Sequence, residues 1–503
     1  MKTSATAGGQ LPSWAELEAL KAAALPRGVA LHMDGARAVG ERGLTILMHG
    51  HGLALTAHLR KGNRTMRFTM NFNSLARGLA LSLAASTTAV AQDPKLPETT
   101  YFTAARMVDV LGGRVVESPL IAIQRNRIVS ITTLTATSLP QGAKIVDLGN
   151  RTLLPGLIDM HVHIDSGPQY GGYSGLQFTD SFWSAMSVKN ASDMLDAGFT
   201  TIRNVGSSNY NEIGLKEAID EGHASGPRII GAGYAIGATG GHCDETFFPP
   251  SFNRKSPAVG DGPQALRSQV RLQRKYGAEV IKVCATGGVF SRNTTPGQQQ
   301  LTEDEMRAVV EEASLWGLRV AAHAHGAEGI KAAIRAGIDT IEHASLVDDE
   351  GIKLAASRVK PVWFSMDIFN TDYTQAEGKK NGVLEDNLRK DREIAQIQRD
   401  NFRRAVRAGV KMVFGSDAGV MPHASASRQF LYMVEYGMTP MQAIQAATTN
   451  AAQALDRETS VGAIAVGRFA DMIAVDGDPL QDVRVLERVA VVIKGGAVVK
   501  GGR

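Results

Sequence analysis

Between residues 156 and 455 the chain alternates short apolar segments with longer stretches rich in Ala, Glu, Lys and Arg, such as Glu303–Leu315 and Ala327–Ala336. Short apolar runs are typical of parallel strands that helices cover on both faces. Eight strand–helix units in one domain predict an α/β fold of the (β/α)8 TIM-barrel type. A doubly wound sheet is the structural alternative, but no Gly-x-Gly-x-x-Gly turn follows the first strand. The predicted strands are Leu157–His161, Thr200–Asn204, Arg228–Gly231, Val280–Cys284, Arg319–His323, Thr340–His343, Pro361–Ser365 and Met412–Ser416.

Two β-rich segments flank this region, at residues 92–155 and 456–503. Strand-sized runs separated by turns at both ends of an α/β domain predict a small β-sandwich assembled from the two segments. The runs that support this prediction are Tyr101–Thr103, Leu120–Ile123, Ile128–Ile131, Lys144–Asp147, Ala470–Val475 and Val489–Gly496.

Residues 66–91 have the features of a secretory signal peptide. Two arginines supply a positive start, residues 78–85 form a short apolar run, and an Ala-Val-Ala cleavage site precedes Gln92. The apolar run is too short to cross a bilayer. We therefore expect a secreted or periplasmic protein without a membrane anchor, translated from Met66 or Met70.

Residues 1–65 are interpreted as an upstream scar or a mis-started segment. They contain the run His32-Met33-Asp34-Gly35-Ala36-Arg37, and residues 11–38 around it resemble a fragment of a threonine aldolase. That family uses pyridoxal phosphate, which needs a Schiff-base lysine within a complete fold. Because nothing of that fold surrounds the fragment, we expect no bound pyridoxal cofactor and no lyase activity.

The charged residues are unevenly distributed along the chain. The 54 Lys and Arg and 50 Asp and Glu give +4 overall, but residues 1–91 hold 10 and 4 of them, which leaves −2 for the remainder. Nucleic-acid binding is typically marked by a basic stripe, and this sequence has none. We expect a small-molecule substrate, no nucleic acid, and a homo-oligomer. Two cysteines cannot build a disulfide framework, so Cys243 and Cys284 are predicted to be buried thiols.

Metal-ligand side chains stand at the predicted carboxyl ends of the strands, where barrels of this type carry their active sites. Two histidines separated by one residue point to the same side of a strand and can bind one ion together. Six compatible residues at five strand ends form the predicted metal site, namely His161, His163, Lys282, His323, His343 and Asp417.

Lys282 is unusual among these residues, because an ammonium group is costly to bury between apolar strand neighbours. A carbamate formed from its amine and carbon dioxide would remove the positive charge and supply anionic oxygen ligands. We therefore predict two divalent ions bridged by carbamylated Lys282, a pair that would lower the pKa of water between them.

The chain from about Thr100 onward resembles the amidohydrolase superfamily, on the patterns in Leu154–His163 and Gly467–Asp471. Within that superfamily, Lys282–Val289 and Thr239–His242 resemble the branch of Xaa-Pro dipeptidases (prolidases) and ochratoxin A amide hydrolases. The resemblance implies a metal-dependent hydrolase of amide or peptide bonds, with zinc as the usual metal.

The same resemblance implies a role for each predicted ligand. His161, His163 and Asp417 would hold one ion, His323 and His343 would hold the other, and the lysine would bridge them. The implied reaction is attack on an amide carbon by a hydroxide between the ions. Asp417 would carry the proton to the leaving nitrogen.

Three residues in predicted loops at the same face are candidates for substrate contact: Tyr234, His242 and Arg292. A substrate carboxylate needs a cationic or hydrogen-bonding partner, and His242 is also a catalytic candidate because it could orient the carbonyl. The expected substrates are N-acyl or aryl-acyl amino acids similar to ochratoxin A, or dipeptides.

Other functions share parts of this pattern. A binuclear lactonase or phosphotriesterase-like hydrolase would use the same ligands and differ in substrate. A mononuclear hydrolase of the imidazolonepropionase type, or a ring deaminase, shares the first histidine pair and the late aspartate but has no need of Lys282. A non-catalytic binding protein would be expected to have lost metal ligands, and none is missing from the sequence.

Overall fold

The computed structural model describes residues 44–49, 52–61, 64–71, 98–135 and 139–501. The chain divides into two compact units, Met1–Leu96 and Pro97–Arg503. The threonine aldolase-like segment and residues 72–91 of the predicted signal peptide lie outside the described residues.

The described part of the first unit is a three-stranded antiparallel sheet. Its strands are β1 (Leu44–His49), β2 (Gly52–Lys61) and β3 (Arg64–Asn71). β2 lies in the centre and pairs with both neighbours. The first six residues of the predicted signal peptide fall within β3.

The second unit is described over most of its length and contains both strands and helices. Its strands are β4 (Thr99–Thr103), β5 (Arg106–Asp109), β6 (Arg114–Glu117), β7 (Pro119–Gln124), β8 (Arg127–Thr133), β9 (Lys144–Asp147), β10 (Arg151–Pro155), β11 (Leu157–Val162), β12 (Phe199–Asn204), β13 (Arg228–Gly231), β14 (Val280–Cys284), β15 (Arg319–Gly326), β16 (Thr340–Leu346), β17 (Trp363–Ser365), β18 (Lys411–Val413), β19 (Met472–Asp476), β20 (Val489–Lys494) and β21 (Ala497–Lys500). Its α-helices are α1 (Asp180–Asp196), α2 (Asn211–Asp220), α3 (Pro263–Lys275), α4 (Glu303–Leu315), α5 (Ala327–Ala336), α6 (Asp349–Ala356), α7 (Asn370–Glu377), α8 (Glu385–Arg407), α9 (Gln429–Glu435), α10 (Pro440–Ala446) and α11 (Thr449–Ala454).

Eight parallel strands form the α/β part of the second unit, as the alternating sequence pattern predicts. They are grouped into a three-stranded sheet of order β11-β12-β13 and a five-stranded sheet of order β14-β15-β16-β17-β18. Two isolated parallel bridges link the two sheets. One joins Val162 of β11 to Ala418 in the loop after β18, and the other joins Ile236 in the loop after β13 to Val283 of β14. Backbone hydrogen bonds follow the same connections, from Met160 N to Phe414 O (2.9 Å) and from Ile236 N to Lys282 O (2.8 Å).

The helix boundaries follow local sequence signals. α4 begins at a capping box in which Thr302 and Glu305 bond each other's backbone N–H groups. α5 ends at Gly337, whose φ of 97° is the left-handed conformation that glycine adopts without steric cost. These signals explain why the predicted bounds of both helices agree with the structure.

Strands from both ends of the second unit form two further sheets. One has six strands in the order β21-β20-β19-β10-β5-β6, and the other has four in the order β8-β7-β4-β9. Both sheets contribute to one cluster of buried apolar side chains, which includes Phe102 and Ile121 from the smaller sheet and Leu153, Met472 and Ile493 from the larger. The strands β5, β6, β10 and β21 were not predicted from the sequence.

The described helices of the second unit lack the features of a membrane span. Within the described ranges, no helix is both long enough and apolar enough to cross a bilayer.

Candidate functional site

The six predicted metal ligands line one cavity of about 640 Å³. The histidine pair ends β11, Lys282 lies within β14, and Asp417 follows β18. His323 and His343 lie on the neighbouring strands β15 and β16. Because the carboxyl ends of parallel strands meet at one edge of a sheet, the topology brings residues from distant parts of the sequence together.

His161, His163 and Asp417 have the geometry of a metal-ligand group. The Nε2 atoms of the two imidazoles lie 3.4 Å and 3.5 Å from the same carboxylate oxygen, Oδ1 of Asp417. Ligand atoms about 2.1 Å from one ion at tetrahedral angles stand roughly 3.4 Å apart. The spacing of the two nitrogens from this oxygen is therefore compatible with a zinc-sized ion.

The other nitrogen of each imidazole faces a fixed acceptor. Nδ1 of His163 lies 2.9 Å from the carbonyl oxygen of Gly206. Nδ1 of His161 lies 3.1 Å from Oε2 of Glu342, yet both atoms are buried without a hydrogen bond of good geometry. Such outer contacts orient a metal-binding histidine.

A second ligand group consists of His323, His325 and His343. The rings of His325 and His343 are stacked with their centroids 4.5 Å apart, and Nδ1 of His325 lies 2.8 Å from Oγ of Ser345. His325 was missed in the sequence analysis. The signal was present, because His323 and His325 repeat the one-residue spacing of the pair on β11.

Asp367 is a second carboxylate at this site that the sequence analysis missed. Its Oδ1 lies 2.8 Å from Nδ1 of His343 and accepts a 3.1 Å hydrogen bond from Gln398, while Oδ2 accepts one from Asn370. His343, Asp367 and Asp417 also form a group that could hold an ion. The position of Asp367 just beyond β17 follows the same strand-end rule as the predicted ligands.

The backbone is strained at two of the ligands. His343 has φ of 71° and Asp417 has φ of 56°, the left-handed region that non-glycine residues rarely occupy. Such strain persists where contacts from the surrounding structure hold the backbone in an unfavourable conformation, as they often do at binding sites. Asp159 provides part of that restraint, because its Oδ1 accepts hydrogen bonds from the backbone N–H groups of His161 (3.0 Å) and Ser416 (3.2 Å).

Burial controls the protonation of the site. It lowers the pKa of His163 to about 4, with a further contribution from Lys282, and it lowers the pKa of His161 and His323. The rings are therefore neutral near pH 7, which is the form that binds metal ions. Burial also raises the pKa of Asp417 to about 7, and the neighbouring Asp367 adds to this effect.

The environment of Lys282 differs from that of an ordinary lysine. The side chain is 3% exposed, and burial lowers the pKa of its amine to about 8. Within the described part of the chain, no carboxylate lies within ion-pair distance of this amine. Its positive charge lowers the pKa of histidines in both ligand groups, including His161 and His323, which indicates that the amine lies near both.

Two of the three predicted substrate-contact residues reach the cavity. Tyr234 lines it, and its hydroxyl is anchored to Asn209 by hydrogen bonds of 2.8 Å and 3.1 Å. His242 lines it with its ring stacked on His323, at a centroid distance of 4.1 Å. Gly288 leaves the space for that ring, because a Cβ at this position would overlap the imidazole.

Arg292 is not among the cavity-lining residues. Its guanidinium donates a 2.8 Å hydrogen bond to the hydroxyl of Tyr173, and its backbone N–H donates to Thr246. Arg254, which the sequence analysis did not single out, lines the cavity instead, with its guanidinium 5.4 Å from the centre of the Phe248 ring.

The prediction of two free thiols is wrong. Cys243 and Cys284 form a disulfide, with their Cα atoms 5.9 Å apart. This bond joins the residue after His242 to the carboxyl end of β14, two residues beyond Lys282. The two cysteines are 41 residues apart in sequence, so their proximity depends on the path of the loop after β13.

Most of the second unit is similar to a known protein family. Residues 152–499 match the model of the amidohydrolase family. The chain belongs to the amidohydrolase family. This confirms the resemblance seen in the sequence. Members of the family generally bind metal ions, and the ligand groups described above could hold them.

Individual relatives indicate the branch of the family. Ochratoxinase from Aspergillus niger is 32% identical over 371 residues, which cover 69% of this chain and 76% of that protein. A crystal structure of a Xaa-Pro dipeptidase with bound methionine in its active site is 36% identical, with a TM-score of 0.75, and the match covers 80% of this chain and 100% of that one. A prolidase solved with N-methylphosphonate-L-proline is 32% identical, with a TM-score of 0.74 and coverage of 80% and 99%. The chain is thus a hydrolase that acts on C–N bonds, and its relatives support amides as the substrate class.

Proposed function

We propose that this amidohydrolase cleaves the amide bond of N-acyl or aryl-acyl amino acids similar to ochratoxin A, or of dipeptides, with two divalent ions, most naturally zinc. The observation that carries this proposal is the position of His161 and His163 around Asp417, at ligand spacing, in the cavity that also contains the second histidine group. One ion would be held by these three residues and the other by His323 and His343.

Lys282 would bridge the two ions as a carbamate. The neutral amine is the form that reacts with carbon dioxide, and burial makes this form more accessible by lowering the pKa of the amine to about 8. Addition of the amine to carbon dioxide with loss of one proton yields an anionic carbamate. This product removes an unpaired buried cation and replaces it with oxygen ligands. Zinc sites that combine oxygen and nitrogen ligands use such groups.

When bound, the ions would lower the pKa of a water molecule and polarise the substrate carbonyl. Asp417 would accept the proton of the attacking water and deliver it to the leaving nitrogen, a role open to a buried carboxylate that lines the cavity. His242 would serve as a neutral hydrogen-bonding group toward the substrate, because burial lowers its pKa to about 3.

Recognition of a substrate carboxylate would fall to the loop that follows β13. Tyr234 and His242 line the cavity there, and Arg254 offers the cation that the sequence analysis assigned to Arg292. Phe248 and Phe290 line the same cavity and could contact a bulky acyl or aryl group.

The same proposal includes the arrangement of the sheets in the second unit. The two parallel sheets would be arcs of one (β/α)8 barrel spanning residues 156–455, which the hydrogen bonds at Met160 and Ile236 support. The six- and four-stranded sheets would be the two layers of a β-sandwich built from residues 92–155 and 456–503, which their common apolar cluster supports.

The test combines metal content with hydrolysis of matched substrates. The metal-loaded enzyme is expected to hydrolyse N-acyl amino acids or dipeptides, and to lose kcat/KM sharply when the substrate carboxylate is methylated. Equal hydrolysis of the free acid and its methyl ester at the amide would show that carboxylate recognition is wrong. Activity toward lactones or phosphotriesters but not amides would favour the lactonase alternative.

A further inference from the structure

Helix α8 turns a polar face toward the active site. Its buried residues include Asn387, Lys390, Asp391, Gln398 and Asn401. Three of the amide side chains donate to backbone carbonyls, one in the loop after β14 and two in β16, and Gln398 also contacts Asp367. Lys390 likewise donates to carbonyls of the loop after β14. Asp391 differs from these four residues, because its hydrogen bonds go to side chains and not to the backbone.

Asp391 is a buried carboxylate on the cavity wall. It is 5% exposed and lines the same cavity as His343, Asp367 and Asp417. Its Oδ1 accepts a 2.9 Å hydrogen bond from Thr371, and its Oδ2 accepts a 2.6 Å hydrogen bond from Gln375. Both donors are neutral side chains of α7.

Within the described residues, no cation lies within ion-pair distance of this carboxylate. Burial raises the pKa of Asp391 to about 6, and the charge of Arg399 offsets this effect only in part. Three basic residues of the same helix have other partners: Lys390 donates to the carbonyl of Ser291, Arg392 pairs with Glu385, and Arg399 pairs with Asp372. A buried carboxylate is normally paired with a cation. With two hydrogen bonds, Asp391 has also used only half of the roughly four acceptor positions of an ionised carboxylate.

Other acidic residues of the cavity are bonded differently. Asp165 accepts three hydrogen bonds, from Ser207, Ser208 and Asn211. Asp244 accepts three from backbone N–H groups. Asp367 contacts His343, Gln398 and Asn370. Asp391 is therefore buried, has acceptor positions that no hydrogen bond uses, and has no cation within ion-pair distance.

We propose, as an extension of the amide-hydrolase function above on which it rests, that Asp391 binds the α-ammonium group of a dipeptide substrate. The missing cation would then be supplied by the substrate itself, through a charge-assisted hydrogen bond. Asp391 is accordingly a specificity residue, and it favours dipeptides with a free amino terminus over N-acyl amino acids.

The carboxylate of the dipeptide would bind in a different part of the cavity. Tyr234, His242 and Arg254 belong to the segment after β13, whereas Asp391 packs on α7, which follows β17. β14, β15 and β16 separate these two strands in the sequence of βα units. A cavity with an anionic group in one region and hydrogen-bond donors in another matches a zwitterionic dipeptide whose scissile amide lies between its charged ends.

The test uses two substrates that differ in one group, L-alanyl-L-phenylalanine and N-propionyl-L-phenylalanine. The second lacks the ammonium group and otherwise has the same shape. The metal-loaded wild-type enzyme is expected to prefer the dipeptide roughly tenfold to a hundredfold in kcat/KM, as a hydrogen bond between charged groups would produce. Asp391→Asn should remove most of this preference by raising KM for the dipeptide, with the propionyl compound unchanged.

Two further variants separate recognition from folding. Asp391→Glu keeps a carboxylate and should retain part of the preference, while Asp400→Asn removes an exposed carboxylate from the same helix and should leave the preference intact. If Asp391→Asn were poorly folded, both substrates would lose activity together, and Asp391→Glu would then decide whether the charge at this position sets the preference. An unchanged preference in Asp391→Asn, or the absence of a preference in the wild type, overturns the inference.

Failure of the inference can be distinguished from failure of the proposed function. Equal hydrolysis of both substrates by the wild type would reject the role of Asp391 and leave amide hydrolysis in place. Hydrolysis of neither would reject the proposed substrates. Calorimetric titration with the same two compounds would then still test Asp391, because tighter binding of the dipeptide that is lost in Asp391→Asn is expected with or without turnover.

Discussion

Asp367 fixes the ring of His343, because its Oδ1 lies 2.8 Å from Nδ1 of the imidazole in a buried pair. Burial alone would lower the pKa of His343, but the charge of Asp367 raises it above its ordinary value. A proton on Nδ1 would be held by this carboxylate, and Nε2 would then be available as a ligand atom. Carboxylates in this position typically increase the basicity and fix the orientation of a metal-binding histidine.

We expect Asp367→Asn to lower the affinity of the second ion roughly 10- to 100-fold, since such outer contacts contribute by that amount. Competition with a metal chelator would measure the change in affinity for each ion. Asp372→Asn is a suitable control, because Asp372 lies on α7 and pairs with Arg399 away from the cavity. Equal affinities in Asp367→Asn and the wild type would contradict this role.

Lys282→Ala should lose metal and activity together, because the bridging carbamate is expected to hold both ions. Short carboxylic acids with added bicarbonate are expected to restore part of both, since they supply a replacement oxygen ligand. Metal content by elemental analysis and turnover would be measured on the same samples. Lys353→Ala on the exposed face of α6 is the matched control. Full metal occupancy and normal turnover in Lys282→Ala would rule out the binuclear arrangement.

Reduction of the Cys243–Cys284 disulfide should destabilise the protein and weaken substrate binding. Closing a loop of this size typically contributes about 2–4 kcal/mol to the free energy of unfolding. The bond also anchors the segment that carries His242, so KM is expected to rise while metal content stays constant. Guanidinium unfolding and kinetics with and without reductant would measure both effects. A Cys243→Ser, Cys284→Ser variant should behave like the reduced enzyme and no longer respond to reductant; a wild type unaffected by reductant would contradict the prediction.

Expression from Met66 should give an exported protein that begins at Gln92, because the charged start, apolar run and cleavage site follow in the order of a signal peptide. Amino-terminal sequencing of periplasmic material would identify the first residue. Replacement of Ala91 by a bulky residue is expected to block cleavage at this site. Exported material that was expressed from Met1 and retains residues 1–65 would show that the interpretation is wrong.

The sequence by itself determined the α/β character and most of the histidine and carboxylate side chains that the structure brings together as candidate ligands. Short apolar runs and helical stretches have different periods, so the bounds of β13, β14, α4 and α5 could be predicted without knowledge of their neighbours. The strand-end rule then selected His161 and the other predicted ligands. Applied more thoroughly, it would also have found His325, since alternation along a strand is a local property.

The tertiary structure decided which side chains from the loops meet. The disulfide between Cys243 and Cys284, the presence of Arg254 rather than Arg292 in the cavity, and the approach of Asp391 depend on how segments distant in sequence cross one another. Local periodicity carries no information about such paths, because a loop has no repeating pattern that links residue spacing to direction. Distances between residues far apart in sequence are set by packing, and packing alone placed Asp391, a buried carboxylate without an ion-pair partner, in the cavity of the predicted metal site.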